Sequence, residues 1–354
     1  MKPAYQKINR NKSYSSMEQI KTNYQERDLL IKSLKKIDNF LPQNGDKELE
    51  KKILSDLTSS PKKISCVFFY DSKGSKLFEE ITKLPEYYLT RTEIDLLNEA
   101  IPQISDKLRD IDIVEFGSGD CTKISILLET IPEELRDTIC YVPVDVSIAA
   151  VEKSSNILLN KFPGIRIYGI VADFISQLDV IPKDRKKVIC FLGSTIGNLP
   201  MDEAMQFLVD LNEIMQTSDL LLLGLDMVKN KEILDKAYND SKNVTERFNK
   251  NILNVINSYI GTNFDPDNFE HIAFYNERFS RIEMHLKAVK DLEIICPRIP
   301  TNISIKKGET IHTENSYKFT NENIERLASG ADLEIQNIFT DENKWFSLVQ
   351  LIKN

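Results

Sequence analysis

Residues 111–130 read IDIVEFGSGDCTKISILLET, and this stretch decides the fold class. A short apolar run, 111–116, ends at a Gly-Ser-Gly turn, and apolar residues then recur at helical spacing over 122–129. Buried parallel strands read as continuous apolar runs, and a strand followed by a helix is the first half of a βαβ unit. The stretch therefore predicts a strand, a tight turn and a helix.

The same alternation continues toward the C-terminus. Four further apolar runs follow, at 138–146, 165–174, 188–194 and 220–226. A helical pattern at 148–159 follows the first of them, and another lies between the last two. Five strands in this order predict a doubly wound, Rossmann-like α/β sheet.

After residue 226 the alternation breaks. Residues 230–260 have apolar positions at helical spacing, and 281–289 and 312–319 look like strands. Residues 331–353 look like two strands joined by a turn, an antiparallel hairpin. A sheet that is interrupted after its fifth strand and completed by such a hairpin is similar to the seven-stranded plan of class I methyltransferases.

The N-terminal part gives weaker signals. Residues 1–20 lack an apolar segment and are expected to be a disordered tail, while 18–41 is charged and helix-permissive. CVFFY, residues 66–70, is a short strand-like aromatic run, and a helix is predicted to begin near Thr90–Thr92.

Composition limits the classes of function. A net charge of −8 argues against non-specific binding of nucleic acid, which needs clustered Lys and Arg. No apolar stretch reaches the roughly 18–20 residues of a membrane span. The five cysteines form no C-x-x-C pair, as expected of reduced thiols in the cytosol. We therefore expect a cytoplasmic protein that binds neither nucleic acid nor membrane.

Candidate ligand residues follow three successive predicted strands. Gly117 lets the backbone approach a ligand, Asp145 can accept the hydroxyls of a ribose, and Asp173 beside Phe174 can bind an adenine. Taken singly, these features also suit a tight turn or a helix cap. Together they favour a nucleoside site, and the missing third glycine of a dinucleotide fingerprint disfavours an NAD-dependent oxidoreductase.

Two further groups of residues could contact a second ligand. FLGSTIGNL, residues 191–199, places the carboxamide of Asn198 after the fourth strand, although a helix start needing Gly and Asn explains it as well. Aromatic residues at 69–88 suit a core as well as a site. The three histidines lack metal-ligand spacing, and no G-x-S-x-G motif is present, so a metal or hydrolase site is not expected.

At this point the sequence resembles the histidine Nα-methyltransferases of ergothioneine biosynthesis. The resemblance extends from about residue 60 to the end. It is carried by FFYDSKGSKLFEEITKLPEYYLTRTE (68–93), VEFGSGDCTK (114–123), FLGSTIGNLP (191–200), LLLGLDMVK (221–229), FNKNILNVIN (248–257), NFEHIAFYN (268–276), RIEMHL (281–286) and HTENSYKF (312–319).

The resemblance implies two domains and one reaction. Residues 21–90 and 229–317 would form a substrate-binding domain, and 91–228 and 318–354 a domain that binds S-adenosyl-L-methionine (SAM). The family's reaction is the trimethylation of L-histidine at its α-amine, which gives hercynine. A monomer acting on a small amino acid is expected.

The resemblance also implies residue roles. The implied SAM-binding residues are Tyr87, Gly117, Lys123, Asp145, Asp173 and Phe174. The implied substrate-binding residues are Tyr70, Phe78, Tyr87, Asn198 and Tyr238 at the amino and carboxylate ends, and Met284, Glu314 and Ser316 at the imidazole. Tyr70 and Asn198, which can orient the amine, are the implied catalytic residues.

The chemistry of the imidazole side favours histidine. Glu314 can accept one ring N–H and Ser316 can serve the other ring nitrogen, whereas an indole would leave one of them unpaired. Two alternatives stay open: a related enzyme acting on another amino acid or amine, such as tryptophan, and a non-catalytic regulator that binds SAM or an amino acid.

Overall fold

The computed structural model describes residues 34–41, 45–119, 121–299 and 302–354. The predicted tail, 1–20, lies outside the described residues. Within them, a large mixed sheet and a smaller four-stranded sheet form two layered bodies that meet at the candidate site.

The large sheet has the order β1-β5-β4-β3-β6-β7-β14-β13. Its strands are β1 (Lys35–Asn39), β3 (Ile111–Phe116), β4 (Cys140–Asp145), β5 (Arg166–Val171), β6 (Lys186–Phe191), β7 (Leu220–Asp226), β13 (Leu333–Thr340) and β14 (Phe346–Lys353). Strands β3 to β7 are parallel, and the β13–β14 hairpin joins β7 antiparallel. The α/β fold predicted from the five runs and the hairpin is thereby confirmed.

One strand of this sheet was not predicted. Residues 35–39 were expected to be helix-permissive, but Lys35–Asn39 pairs in parallel with β5 and makes the sheet eight-stranded. This part of the 21–90 segment therefore lies on the large sheet. The run KKIDN escapes a period-2 search because it is short and charged, as edge strands often are.

Helices cover both faces of the large sheet. They are α3 (Tyr88–Ala100), α4 (Thr122–Glu129) and α5 (Ile148–Lys161) on one face, and α6 (Met201–Ile214) and α9 (Asn321–Gly330) on the other. Each face buries its own apolar cluster. Because both faces are covered, β3 and β7 are buried along their whole length.

The smaller sheet has the order β2-β12-β9-β8. Its strands are β2 (Lys62–Lys63), β8 (Phe269–Asn276), β9 (Arg281–Ala288) and β12 (Thr310–Tyr317), and a separate β10–β11 pair joins Leu292–Ile294 to Ile303–Ile305. Helices α1 (Gly45–Thr58), α2 (Ser72–Ile81), α7 (Lys231–Tyr238) and α8 (Val244–Ile260) accompany it. A third apolar cluster lies between these helices and the sheet.

One local prediction is wrong. The aromatic run at 66–70 is not a strand: Cys66–Phe69 forms a 3-10 turn whose Phe69 stacks on Phe248 at 4.5 Å. The region 230–260 is helical as predicted, in two helices, because Asp240 accepts hydrogen bonds from the amides of Val244 and Thr245 and so starts a second helix. Among the described residues, no helix combines the length and apolar character that a bilayer crossing requires.

Candidate active site

The glycine turn after β3 leaves room for a ligand. Gly117 has φ +79°, and a Cβ built on it would meet nothing within 4 Å. Its amide donates to the carbonyl of Val144 in the next strand at 2.9 Å, so the turn is held while its surface stays open. These are the conditions under which a backbone can contact a bound group closely.

Asp145 ends β4 beside this turn. Its carboxylate accepts hydrogen bonds from the amides of Ser118 (3.0 Å) and Ser147 (2.8 Å). Burial raises the pKa of Asp145, and these hydrogen bonds oppose the rise. The side chain thus fixes two loops at the sheet edge, and a carboxylate with about four acceptor positions can still accept a ligand hydroxyl.

Asp173 and Phe174 follow β5 at the same edge. The Asp173 carboxylate accepts from the amide of Ile175 (3.0 Å) and the hydroxyl of Ser176 (2.9 Å). Phe174 packs with its ring centroid 5.2 Å from that of Phe116. Both side chains are half-buried, so each still presents a surface at the edge.

Lys123 lies at the start of α4 and is held by a residue that sequence reasoning missed. Its Nζ forms a 2.6 Å ion pair with Glu93, whose carboxylate is fully buried in α3. The other oxygen of Glu93 accepts from the amide of Gly193 at 2.7 Å. Glu93 therefore connects Lys123 to the start of the 191–199 loop.

Four of the predicted aromatic residues form a continuous chain. The ring of Tyr70 contacts that of Phe78 edge-on at 5.8 Å, Phe78 contacts Tyr87 at 6.3 Å, and Tyr87 contacts Tyr238 at 6.3 Å. Phe78 is half-buried and Tyr87 and Tyr238 are buried, whereas Tyr70 is 40% exposed at the outer end. Although the residue is 40% exposed, desolvation around its hydroxyl and then the nearby Glu314 carboxylate raise the pKa of Tyr70, so the hydroxyl stays neutral.

Asn198 and Glu314 contact each other. With its amide nitrogen turned toward β12, the orientation that its neighbours require, Asn198 donates to Glu314 Oε1 at 3.3 Å and to the Asn315 carbonyl at 3.2 Å. Glu314 pairs with Met284 of β9 across a bulge in β12. Burial raises the pKa of Glu314 to about 7, although the Lys318 ammonium lowers it.

Ser316 lies two residues further along β12, on the same side as Glu314. Its hydroxyl accepts from the Tyr238 hydroxyl at 2.9 Å and from Lys318 Nζ at 2.8 Å. Lys318 is fully buried and forms a 2.7 Å ion pair with Asp226, at the end of β7. Asp226 also binds Lys229 and the hydroxyl of Tyr88.

This network of Asp226, Lys318, Lys229 and Tyr88 was not predicted. The period-2 spacing of Glu314, Ser316 and Lys318 is the signal that could have found Lys318. Asp226 ends the fifth strand, as Asp145 ends the second, and that position could have suggested it.

The 191–199 loop joins the two groups of predicted residues. At its start, a Cβ on Gly193 would lie 3.1 Å from Lys123 Nζ, and at its end Asn198 reaches Glu314. Between them Gly197 approaches β12 so closely that a Cβ would lie 2.9 Å from the Tyr317 carbonyl. The 191–199 loop therefore contacts Lys123 of the β3–β5 edge at its start and β12 at its end.

A metal site was not expected from the histidine spacing. Within the ranges that the structure describes, no group of three or more His, Cys, Asp or Glu side chains is arranged to hold a metal ion. His285 and His312 lie together, with ring centroids 4.9 Å apart, on the smaller sheet.

Comparison with known proteins places the chain in one family. Residues 49–353 match the family model described as "Histidine-specific methyltransferase, SAM-dependent". A "Histidine N-alpha-methyltransferase" of Mycolicibacterium smegmatis is 36% identical over 88% of this chain and 97% of its own length. The protein of the same name from Mycobacterium tuberculosis is 35% identical over 86% and 94%. "Ergothioneine biosynthesis protein 1" of Schizosaccharomyces pombe is 28% identical over 75% of this chain and 36% of its own length.

Proposed function

Since the chain belongs to the family of histidine-specific, SAM-dependent methyltransferases, we propose that it methylates the α-amine of L-histidine. Three successive transfers from SAM would give hercynine, the first step of ergothioneine biosynthesis. The contact between Asn198 and Glu314 carries the proposal, because it places a carboxamide that can hold an amine next to a carboxylate that can hold an imidazole.

The edge formed by β3, β4 and β5 suits SAM. Gly117 offers open space beside the backbone, Asp145 a carboxylate, and Asp173 with Phe174 an acid next to a ring. SAM supplies an electrophilic methyl group on a sulfonium. Lys123 and Tyr87 would complete this side, since the ion pair with Glu93 fixes Lys123 and the ring contacts fix Tyr87.

The aromatic chain and Asn198 suit the amino and carboxylate ends of the amino acid. Methyl transfer to an amine is a displacement, so the protein's main task is to orient the nucleophile toward the donor. Tyr70 and Asn198 are neutral and can hold an uncharged amine by hydrogen bonds. Phe78, Tyr87 and Tyr238 would enclose the backbone of the amino acid, and neutral walls leave room for a growing alkylated nitrogen.

The imidazole side suits histidine. Glu314 and Ser316 supply two polar groups two residues apart on one strand, and the buried Met284 packs beside Glu314. A ligand without two ring heteroatoms would leave one of these groups unpaired, at a cost of about 1–3 kcal/mol. We therefore propose histidine rather than tryptophan as the preferred acceptor.

We further propose a monomer with two domains, in the cytoplasm. The separate apolar cluster of the smaller sheet supports a substrate-binding domain made of 21–90 and 229–317, apart from Lys35–Asn39, and a SAM-binding domain made of 91–228 and 318–354. Four cysteines, Cys66, Cys140, Cys190 and Cys296, are free thiols, as in a reducing compartment.

The decisive experiment is incubation of the purified protein with SAM and each of the twenty amino acids, scored by mass for added methyl groups. We expect up to three methyl groups on histidine. Methylation of a different amino acid would reject the acceptor but keep the reaction. SAM binding without methylation of any amino acid would instead favour a non-catalytic regulator.

A further inference from the structure

Ser316 can only donate a hydrogen bond to a ligand. Its oxygen accepts from Lys318 Nζ at 2.8 Å and from the Tyr238 hydroxyl at 2.9 Å. A serine hydroxyl has two acceptor lone pairs and one proton, so both lone pairs are occupied. In the part of the chain that the structure describes, no protein acceptor takes the remaining proton. That proton is left for the ligand.

Lys318 keeps Ser316 in this donor role. Its ammonium has three N–H donors and no acceptor, and they are directed to Asp226 at 2.7 Å, Ser316 at 2.8 Å and Tyr238 at 3.2 Å. Lys318 and Asp226 are both fully buried, so water does not compete for these bonds. Asp226 also binds Lys229 at 2.5 Å, which leaves the network with two ammonium groups for one carboxylate.

Glu314, the other proposed imidazole-binding residue on this side of β12, is a hydrogen-bond acceptor where Ser316 is a donor. Glu314 is half-buried; ionised, it can only accept hydrogen bonds, and when it is protonated, as burial favours at pH 6, it keeps an oxygen that accepts. The site therefore offers one donor, Ser316, and one acceptor, Glu314. A neutral imidazole has one N–H and one bare nitrogen, which match this pair. An imidazolium has two N–H groups, one of which would face the Ser316 proton.

We propose that Lys318 is a positioning residue that fixes Ser316 as a donor and so restricts the site to neutral imidazole in one tautomer, with its bare nitrogen toward Ser316 and its N–H toward Glu314. The inference rests on the proposed function, because it takes histidine as the ligand. It adds a role for Lys318 and a protonation state for the bound substrate.

The test is ¹⁵N NMR of ring-labelled histidine bound to the full-length protein with S-adenosylhomocysteine, at pH 6. Free imidazole, with a pKa of about 6.5, is mostly protonated at this pH. We expect the bound ring to give one protonated and one bare nitrogen signal, without exchange between tautomers. Two protonated nitrogens in the bound ring would overturn the proposal.

Two variants separate the role of Lys318 from a general effect on stability. Lys318→Met removes one donor to Ser316, so the hydroxyl can turn and accept, and we expect imidazolium or mixed tautomers in the bound ring. Lys187→Met is the matched control: Lys187 is also fully buried and paired with a buried Asp219, at 3.1 Å, but does not contact Ser316. It should leave the ¹⁵N pattern unchanged.

Ser316→Ala keeps the Lys318–Asp226 ion pair, so it serves if Lys318→Met does not fold. In this variant the bare ring nitrogen should no longer show the ¹⁵N shift that a hydrogen-bond donor causes. Histidine binding should weaken about tenfold. An unchanged spectrum would contradict the proposal. Failure of histidine to bind or be methylated would reject the proposed function, whereas methylation of a bound imidazolium would reject this inference alone.

Discussion

Asn198 and Tyr70 define the reactive end of the proposed site. Asn198 contacts Glu314, and Tyr70 ends the aromatic chain with a neutral hydroxyl. We expect Asn198→Ala and Tyr70→Phe to lower turnover by about 10²-fold or more while SAM affinity changes less than threefold, because they orient the amine. Steady-state kinetics with calorimetric SAM binding measures both quantities.

The matched control is Tyr259→Phe. Tyr259 contacts Phe68 edge-on at 5.5 Å in the same aromatic region, but it lies 46% exposed and outside the chain from Tyr70 to Tyr238. Its turnover should equal that of the wild type. If SAM affinity fell in parallel with turnover in the Asn198 and Tyr70 variants, these residues would belong to the cofactor side instead.

We expect Glu314, the proposed histidine-binding carboxylate, to lower the stability of the folded protein. Burial raises its pKa from 4.5 to about 7, so the folded state binds more protons than the unfolded state between these values. Stability therefore falls as pH rises through this window and stays lower above pH 7. We expect Glu314→Gln to raise the free energy of unfolding by about 2–3 kcal/mol at pH 8 and by much less at pH 5.

Urea denaturation at the two pH values tests this expectation. Glu270→Gln, on the exposed side of β8 in the same sheet, is the control and should change stability at neither pH. The Glu314 variant should also bind histidine more weakly and SAM equally well. Equal stability of wild type and Glu314→Gln at pH 8 would contradict a desolvated carboxylate.

Helix α3 is the element that joins the two sides of the site. It starts directly after Tyr87 and carries the buried Glu93, which binds Lys123 and the amide of Gly193. The helix can come this close because β7 has a glycine opposite it. A Cβ on Gly224 would lie 2.2 Å from Glu93 Oε1.

Gly224→Ala should therefore displace Glu93 and release Lys123. We expect a loss of about 1–3 kcal/mol in stability from overpacking and at least a tenfold loss in SAM affinity. Calorimetric titration of SAM and thermal unfolding measure the two effects. Gly330→Ala is the control, because its Cβ would meet only the flexible end of Met205. A variant that keeps full SAM affinity would show that Glu93 does not position the cofactor side.

The strands could be predicted from sequence where both faces of the sheet are covered. The runs that became β3 and β7 are mainly apolar because every position is buried, although β3 also buries Asp112 and Glu115 and β7 ends on Asp226. The same rule fails for β1, a charged edge strand, and for Cys66–Phe69, where aromatic residues pack inward from a 3-10 turn rather than along a strand.

The site could be predicted only in part, for a related reason. Residues at the ends of strands are visible in sequence because the topology brings them to one edge. A buried Lys or Glu is not, since its pairing depends on tertiary contacts: Lys318 and Glu93 look like surface charges until Asp226 and Lys123 are placed beside them. The family resemblance therefore implied roles for the ligand-binding residues, but none for Lys318, Asp226 and Glu93, the charged residues that contact them.

In the whole molecule, one charged network joins the two bodies. The end of β7 and the end of β12 are linked by the Phe319 amide donating to the Asp226 carbonyl and the Val228 amide donating to the Phe319 carbonyl, both at 2.9 Å. Side chains reinforce this junction, because Asp226 binds Lys318, which directly follows β12, together with Lys229. Removing the negative charge of Asp226 would leave the buried ammonium groups of Lys318 and Lys229 facing each other.

We expect Asp226→Asn to lower stability at pH 7 by about 3–5 kcal/mol, as for other broken buried ion pairs. Burial lowers the pKa of Lys229 to about 8, and Asp226 opposes that shift. Without Asp226 the pKa should fall further, so the folded state binds fewer protons than the unfolded state. The loss of stability of Asp226→Asn relative to the wild type should therefore become smaller as pH rises from 7 to 9. Thermal unfolding across this range measures it.

A second variant, Asp219→Asn, tests whether Asp226 couples the two bodies or acts only as one of several buried ion-pair residues. Asp219→Asn breaks the Lys187–Asp219 pair, which lies within the large sheet alone. Both variants should lose stability, but only Asp226→Asn should speed amide hydrogen exchange in β9 and β12 more than in β3 and β6, since it releases the smaller sheet from the larger one. Equal acceleration of exchange in both sheets would mean that Asp226 contributes to stability without coupling the two bodies.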